Sequence, residues 1–238
     1  MPQTKPFVAT TSWEEAVLKA ITVLKRKAGM EVADFQRYWR TSHADIVLPM
    51  AGLRRYVQSH LILSGYSRGE PLHDGMAEVW YDDSAALKAN AGSPEYAAVA
   101  ADEANFMDSS ATVLLLTEDH AIIDRPAPEG GVKCVEFLHR REGMAMEDFQ
   151  AHWRGSHGAI AARIPGIRRY VQSHPKLGGY RDGRQPGYDG AAITWWQSTD
   201  AMRAAAGSAE LAATRADEAN FLRPGGNPTM ITKEFVIL

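Results

Sequence analysis

Two helix-spaced triads and one strand-like heptapeptide hold the residues of this sequence best suited to chemistry. Phe35, Trp39 and His43 stand four apart, and so do Phe149, Trp153 and His157. Residues four apart share one face of a helix. Each histidine should therefore point, with its aromatic neighbours, toward whatever that helix packs on. Imidazole titrates near neutral pH and can take or give a proton there, so His43 and His157 are candidate general acid–base groups. The competing reading is that they cap a helix C-terminus. RRYVQSH occupies 54–60 and returns at 168–174. On a strand, alternation would put Arg54, Tyr56, Gln58 and His60 on one face. That face suits a hydrogen-bonding cavity wall, and it equally suits a polar seam between two sheets. As a cavity wall it makes Tyr56 and Tyr170 catalytic candidates that polarise a carbonyl, with Arg54, Arg168, His60 and His174 binding substrate. Trp39, Trp153, Trp80 and Trp195 offer flat apolar area for an aromatic ligand, although core filling is the commoner use.

Glu78 is matched by Ile193 in the second half of the chain. A carboxylate raised in pKa by burial could pair with a histidine as acid and base, which would make the two halves inequivalent. An exposed edge position is the slightly favoured alternative. DEANF at 102–106 and 217–221 reads as packing. Phe106 and Phe221 would anchor a helix end, and Asp102 and Asp217 would bond a loop.

Other chemistries lack their residues. There is no Gly-rich phosphate loop, no G-x-S-x-G and no H-E-x-x-H, and the eight histidines lack ligand spacing. Neither a metal nor a cofactor is expected. A net charge of −3 argues against a broad nucleic-acid surface. The single cysteine, Cys134, excludes an internal disulfide and is expected in a buried strand. No stretch approaches the roughly 20 apolar residues of a membrane span. The first residues lack the order of a signal peptide, so the default expectation is a cytoplasmic protein.

The elements that must position these residues are written twice. His43 and His157 differ by 114, as do His60 and His174; after a one-residue insertion near 180–188, Trp80 and Trp195 differ by 115. Two units follow, 13–123 and 132–238, with the Pro/Gly-punctuated linker 124–131 between them. Each reads β-α-β-β-α-β, the ferredoxin-like order. The first strand is expected at 17–25, a helix at 31–43, strands at 53–60 and 76–81, Ala-rich helices at 84–90 and 93–104, and a last strand at 111–118. Such a unit covers one sheet face with helices and leaves the other bare. The duplicate supplies the cover. The expected class is α+β, with two antiparallel sheets facing each other as a fused dimeric α/β barrel. An exposed sheet edge would leave room for a further homodimer.

KRKAGMEVADFQRYWRTSHADIV followed by LRRYVQSH resembles the EthD domain family of the dimeric α/β barrel superfamily. HRREGMAMEDFQAHWRGSHGAIA followed by IRRYVQSH resembles it equally. The resemblance spans both units and implies the same fold. It also implies that most relatives carry one unit and dimerise, whereas this chain fuses the pair. Related barrels include cyclases, dehydratases, decarboxylases, lactone isomerases and small monooxygenases, and in them the gap between helix and sheet holds the ligand. The fold does not choose among these activities. The leading expectation is a cofactor-independent acid–base enzyme of lyase, isomerase or cyclase type, acting on a small hydrophobic molecule of aromatic or polyketide-like character. The alternatives are a non-catalytic metabolite-binding or accessory protein, and a cofactor-free monooxygenase.

Overall fold

A computed structural model describes residues 18–238; residues 13–17, assigned above to the first unit, lie outside the described residues. The first copy contributes β1 (Leu18–Leu24), β2 (Leu53–Leu61), β3 (Gly75–Tyr81) and β4 (Val113–Ile123). The second contributes β5 (Val132–Leu138), β6 (Ile167–Pro175), β7 (Gly190–Trp196) and β8 (Thr229–Val236). Within each copy the antiparallel order is the ferredoxin-like one, β4-β1-β3-β2 and β8-β5-β7-β6. The last strand of each copy does two jobs. Residues 113–117 of β4 pair with β1, and 117–123 run on to pair with β6. Likewise β8 pairs first with β5 and then with β2. The result is one closed eight-stranded barrel. Every strand of the barrel therefore has two neighbours, and among the described residues the sheet edge expected to allow further association is absent. β4 outruns its expected end at 118 because its second partner comes from the other copy. No local pattern announces that partner.

Helices wrap the outside. In the first copy α1 (Val32–Tyr38), a π turn (Trp39–His43) and α2 (Ala44–Val47) run on without a break, and α3 (Ser84–Asn90) and α4 (Pro94–Phe106) follow later. The second copy repeats the pattern as α5 (Met146–His152), a π turn (Trp153–His157), α6 (Gly158–Ala161), α7 (Thr199–Ala205) and α8 (Ala209–Glu218). Local chemistry explains the helix starts. Ser93 accepts from Tyr96 N with Pro94 at the first position, and Asp83 accepts from the amides of Ala85 and Ala86. Ser198 and Ser208 cap α7 and α8 in the same way. Because the first helix continues to Val47, His43 sits inside it and does not cap its end. Among the described residues no helix is long and apolar enough to cross a membrane.

Strand alternation then assigns two faces. Ile21, Val23, Met76, Leu115, Val135, Phe137, Ile193 and Met230 point inward and fill the barrel with side chains from both copies. Tyr56 and Tyr170 point outward, beneath the helices. The tyrosine, glutamine and histidine of RRYVQSH thus face the helix layer and form no seam between the sheets, while the alternate residues, Ser173 among them, face the barrel interior. The halves join through main-chain pairing of β4 with β6 and of β8 with β2, and through side chains that meet inside the barrel. Near one barrel end two equivalent positions meet, His73 Nε2 and the Tyr188 hydroxyl, 2.5 Å apart. Cys134 lies on β5 as expected but is only half-buried.

The indoles of Trp39 and Trp153 lie flat on the strands because Gly75 and Gly190 carry no side chain. A Cβ at Gly75 would stand 2.5 Å from the Trp39 ring and 2.9 Å from the Ser59 carbonyl; at Gly190 it would stand 2.5 Å from Trp153. Gly75→Ala is expected to lower stability by about 1–3 kcal/mol, the usual range for overpacking. A chemical denaturation midpoint unchanged from wild type would contradict this.

Candidate active site

The structure separates the candidate residues into three groups. Trp39, His43, Tyr56 and His60, with Trp153, His157, Tyr170 and His174, lie between helices and sheet, all buried. Glu78, Trp80 and Trp195 lie on the inner side of the barrel. Arg54 and Arg168 are exposed. An irregularity between Leu53 and Arg55 takes Arg54 out of the alternation, and Asp82 holds its guanidinium at 2.6 and 2.7 Å. The expected continuous wall from Arg54 to His60 is therefore broken. Arg55 and Arg169 turn inward instead and stack over Trp80 and Trp195.

In the helix–sheet layer, His43 Nδ1 lies 2.8 Å from Asp102 Oδ2, and His157 Nδ1 lies 2.9 Å from Asp217 Oδ2. These are the aspartates of the two DEANF segments. They hold the histidines and do not tie down a loop. Phe106 and Phe221 lie against the same imidazoles, with ring centres 4.6 and 4.7 Å away. Asp102 Oδ1 accepts from the Tyr38 hydroxyl at 2.6 Å and from Asn105 at 3.0 Å. Asp217 Oδ1 accepts from Asn220 at 2.9 Å and lies 3.1 Å from His152 Nε2. Burial would push Asp102 upward, but hydrogen bonds from Tyr38, His43 and Asn105 outweigh it and leave the carboxyl below its ordinary range. Burial dominates at His43 and His157 and lowers both, against the pull of the aspartates. A neutral imidazole donating Nδ1–H to an ionised carboxylate results. Its Nε2 then carries a lone pair, and among the described residues that nitrogen has no hydrogen-bond partner. This is the arrangement of an oriented general base.

A second chain of bonds supports each dyad. Gln58 Nε2 donates to the Trp39 carbonyl in the π turn at 2.8 Å and to the Tyr56 hydroxyl at 2.7 Å. Its Oε1 lies 2.9 Å from His60 Nε2, and the His60 ring stacks on Trp39 with centres 4.2 Å apart. Gln172 repeats every contact with Trp153, Tyr170 and His174. Burial raises the tyrosines to about 12 and lowers His60 and His174 to about 3. At neutral pH these four groups stay uncharged. They tie the π turn to β2 and β6, and π turns often mark functional positions in helices. Alternation places Gln58 on this face but assigns it no role, although it is copied as faithfully as the histidines.

Glu78 belongs elsewhere. It sits inside the barrel, 1% exposed, and not at the exposed edge that the sequence slightly favours. Lys19 reaches Oε1 at 2.6 Å and Lys133, from the other copy, holds Oε2. Lys19 also meets Asp119 at 3.1 Å and Ser173 at 3.1 Å, and Lys133 meets Glu234 at 2.8 Å. Trp80 and Trp195 lie under the two ammonium groups, 5.0 Å away in each case. Burial alone would raise Glu78, but Lys133 and Lys19 outweigh it and hold it at about 2. The expected raised pKa and histidine partner are both absent: Glu78 is a permanent anion between two lysines.

Two open clefts stand out, and neither is lined by His43 or His157. One, of about 410 Å³, lies beside His139–Gly143 in the second copy. The other, of about 260 Å³, lies at the barrel mouth against Lys133, Trp195 and the linker. Among the described residues no group of three or more His, Cys, Asp or Glu side chains converges as metal ligands.

A family model described as the EthD domain matches residues 27–110 and again 141–225. No curated protein matches the chain significantly. Solved structures of similar shape include an anthrone oxidase-like protein, 13% identical, covering 94% of each chain with a TM-score of 0.66. A chlorite dismutase variant from Candidatus Nitrospira defluvii is 10% identical, covering 94% of this chain and 93% of its own, with a TM-score of 0.58. A candidate monooxygenase from Lactobacillus acidophilus NCFM is 11% identical, covering 93% and 96%, with a TM-score of 0.56. At such identities the likeness concerns the fold.

Proposed function

Since this chain belongs to the EthD family and carries its domain twice, we propose that it is a cofactor-independent acid–base enzyme with one His–Asp dyad per copy, acting on a small hydrophobic molecule. The observation that carries this reading is the duplicated, buried pairing of His43 with Asp102 and His157 with Asp217. In the proposed reaction, Nε2 removes a proton from an acidic C–H or O–H of the substrate. The resulting imidazolium is stabilised by the aspartate. It returns the proton to another substrate atom in an isomerisation or cyclisation, or to the leaving group in an elimination. The aromatic surroundings of each dyad favour a hydrophobic substrate. His43 and His157 keep 6% and 7% of their surface exposed, so a bulky substrate needs the helix layer to give way around them, and the π turn is the segment suited to do so.

A non-catalytic metabolite-binding role is the second reading, because the open clefts lie away from both dyads. Anthrone, taken from the name of a similarly shaped protein, is a suitable first probe, since it carries an acidic methylene conjugated through two aromatic rings to a ketone. Oxygen uptake would point to oxidase or monooxygenase chemistry; proton exchange without uptake would point to the proton shuttle alone. On any confirmed substrate, His43→Ala with His157→Ala is expected to lower kcat by about 10²–10⁴. Unchanged turnover in the double variant would eliminate the dyads and leave the binding role.

A further inference from the structure

Each copy serves as the internal reference for the other, and one corner differs in charge. In the first copy Glu70 bridges two cations: it accepts from Arg26 Nη2 at 2.7 Å, and Lys25 holds its other oxygen. In the second copy the matching residues are Gln185, Arg140 and His139. The framework around them is the same. Arg26 N donates to Asp74 at 3.0 Å and Arg140 N to Asp189 at 2.9 Å. Asp108 N donates to Lys25 O at 2.8 Å and Arg223 N to His139 O at 2.9 Å. Thus Gln185 replaces a glutamate, and Arg223 replaces an aspartate. In the first copy Lys25, Arg26 and Lys27 balance Glu70, Asp74 and Asp108. In the second, Arg140, Arg141 and Arg223 face only Glu142 and Asp189.

The carboxylate's place is open. Arg140 is held by Asp189 and by the Met144 carbonyl, yet its Nη2, whose counterpart grips Glu70, donates to nothing among the described residues. Neither do the guanidinium groups of Arg141 and Arg223. The cleft of about 410 Å³ lies at this point, lined by His139, Arg140, Arg141, Gln185 and Arg223, with Glu142 and Asp189 also on its wall. We propose that it binds a small organic carboxylate, whose carboxylate group takes the place that Glu70 fills in the first copy. Arginine suits this ligand because its planar fork meets both oxygens at once. The site stands apart from the His–Asp dyads and does not depend on their role.

Glutarate is the probe, titrated into the full chain by calorimetry at constant ionic strength, with chloride as the balancing salt. One site per chain is expected. Gln185→Glu supplies the missing carboxylate from within and should weaken glutarate binding about tenfold or more, the scale of one charge-assisted contact. Arg223→Asp, which restores the other first-copy residue, should do the same. Both side chains are exposed, so unchanged circular dichroism melting would confirm that the fold is intact. Absence of saturable binding to the wild type at tens of millimolar glutarate would overturn the proposal. So would affinity unaffected by Gln185→Glu.

Discussion

Glu78→Ala is expected to destabilise the protein by about 3–5 kcal/mol, the cost of leaving a buried charge without its partner. In a chain of this size that is a fall in melting temperature on the order of 10 °C. The reason is geometric. Two lysines, one from each copy, enter the barrel and share this single carboxylate. Without it, Asp119 and Glu234 remain to hold one lysine each from the barrel rim. Glu78→Gln, which keeps the shape and removes the charge, should show most of the same loss. The pH dependence has a definite sign. Glu78 titrates at about 2 in the folded chain, below its ordinary 4.5. Its contribution, about 3 kcal/mol at a unit conversion of 1.36, is whole above about pH 4.5. It disappears as pH falls from there toward 2. The gap between wild type and Glu78→Ala in urea denaturation should therefore be wide at pH 7 and close on acidification. Equal midpoints at pH 7 would refute the barrel network as a source of stability.

Asp102→Asn combined with Asp217→Asn is expected to lower kcat by about 10²–10⁴ while leaving the fold in place. The existing donors decide which way the amide turns. Tyr38 and Asn105 both donate to Asp102 Oδ1, so the asparagine keeps its carbonyl there and presents NH₂ to His43 Nδ1. That nitrogen must then be the acceptor, and the ring proton moves to Nε2. Nε2, the proposed base, then loses its lone pair. The second copy follows the same logic through Asn220, which donates to Asp217 Oδ1; His152 Nε2 stands 3.1 Å from both oxygens and does not choose between them. Nitrogen-15 chemical shifts of the imidazoles would report the tautomer directly, with or without a known substrate. Retention of the Nδ1–H form in the double variant would show that the aspartates do not set the tautomer.

Several features of this molecule are local enough to be read from spacing. The four-residue step of Phe35, Trp39 and His43 places them on one helix face, and the structure buries all three. The offset of 114 to 115 announces the duplication, and with it the pairing of two ferredoxin-like sheets. Alternation along RRYVQSH correctly sets Tyr56 and His60 apart from Arg55 and Val57. It cannot say which of those faces meets the helices and which meets the barrel interior. The seam expectation failed for that reason, and so did the edge position for Glu78. A lone carboxylate on an apolar strand looks exposed unless its two lysine partners, 59 and 55 residues away, are known to converge on it.

The composition of the dyads was equally hidden. Asp102 lies 59 residues from His43 along the chain, and nothing periodic links them. A signal was present all the same: DEANF is as fully duplicated as RRYVQSH, more than helix-end packing requires. What the amino-acid order determined by itself is the inventory of each unit: its elements, its repeat and the residue types on each face. Closure was decided in three dimensions. β4 and β8 extend only because a strand from the other copy waits for them, and barrel closure then aims Lys19, Glu78 and Lys133 at one another. Short-range geometry governs helices and alternation within a few residues. Contacts between distant segments depend on where a whole sheet curls, and no window of sequence contains that.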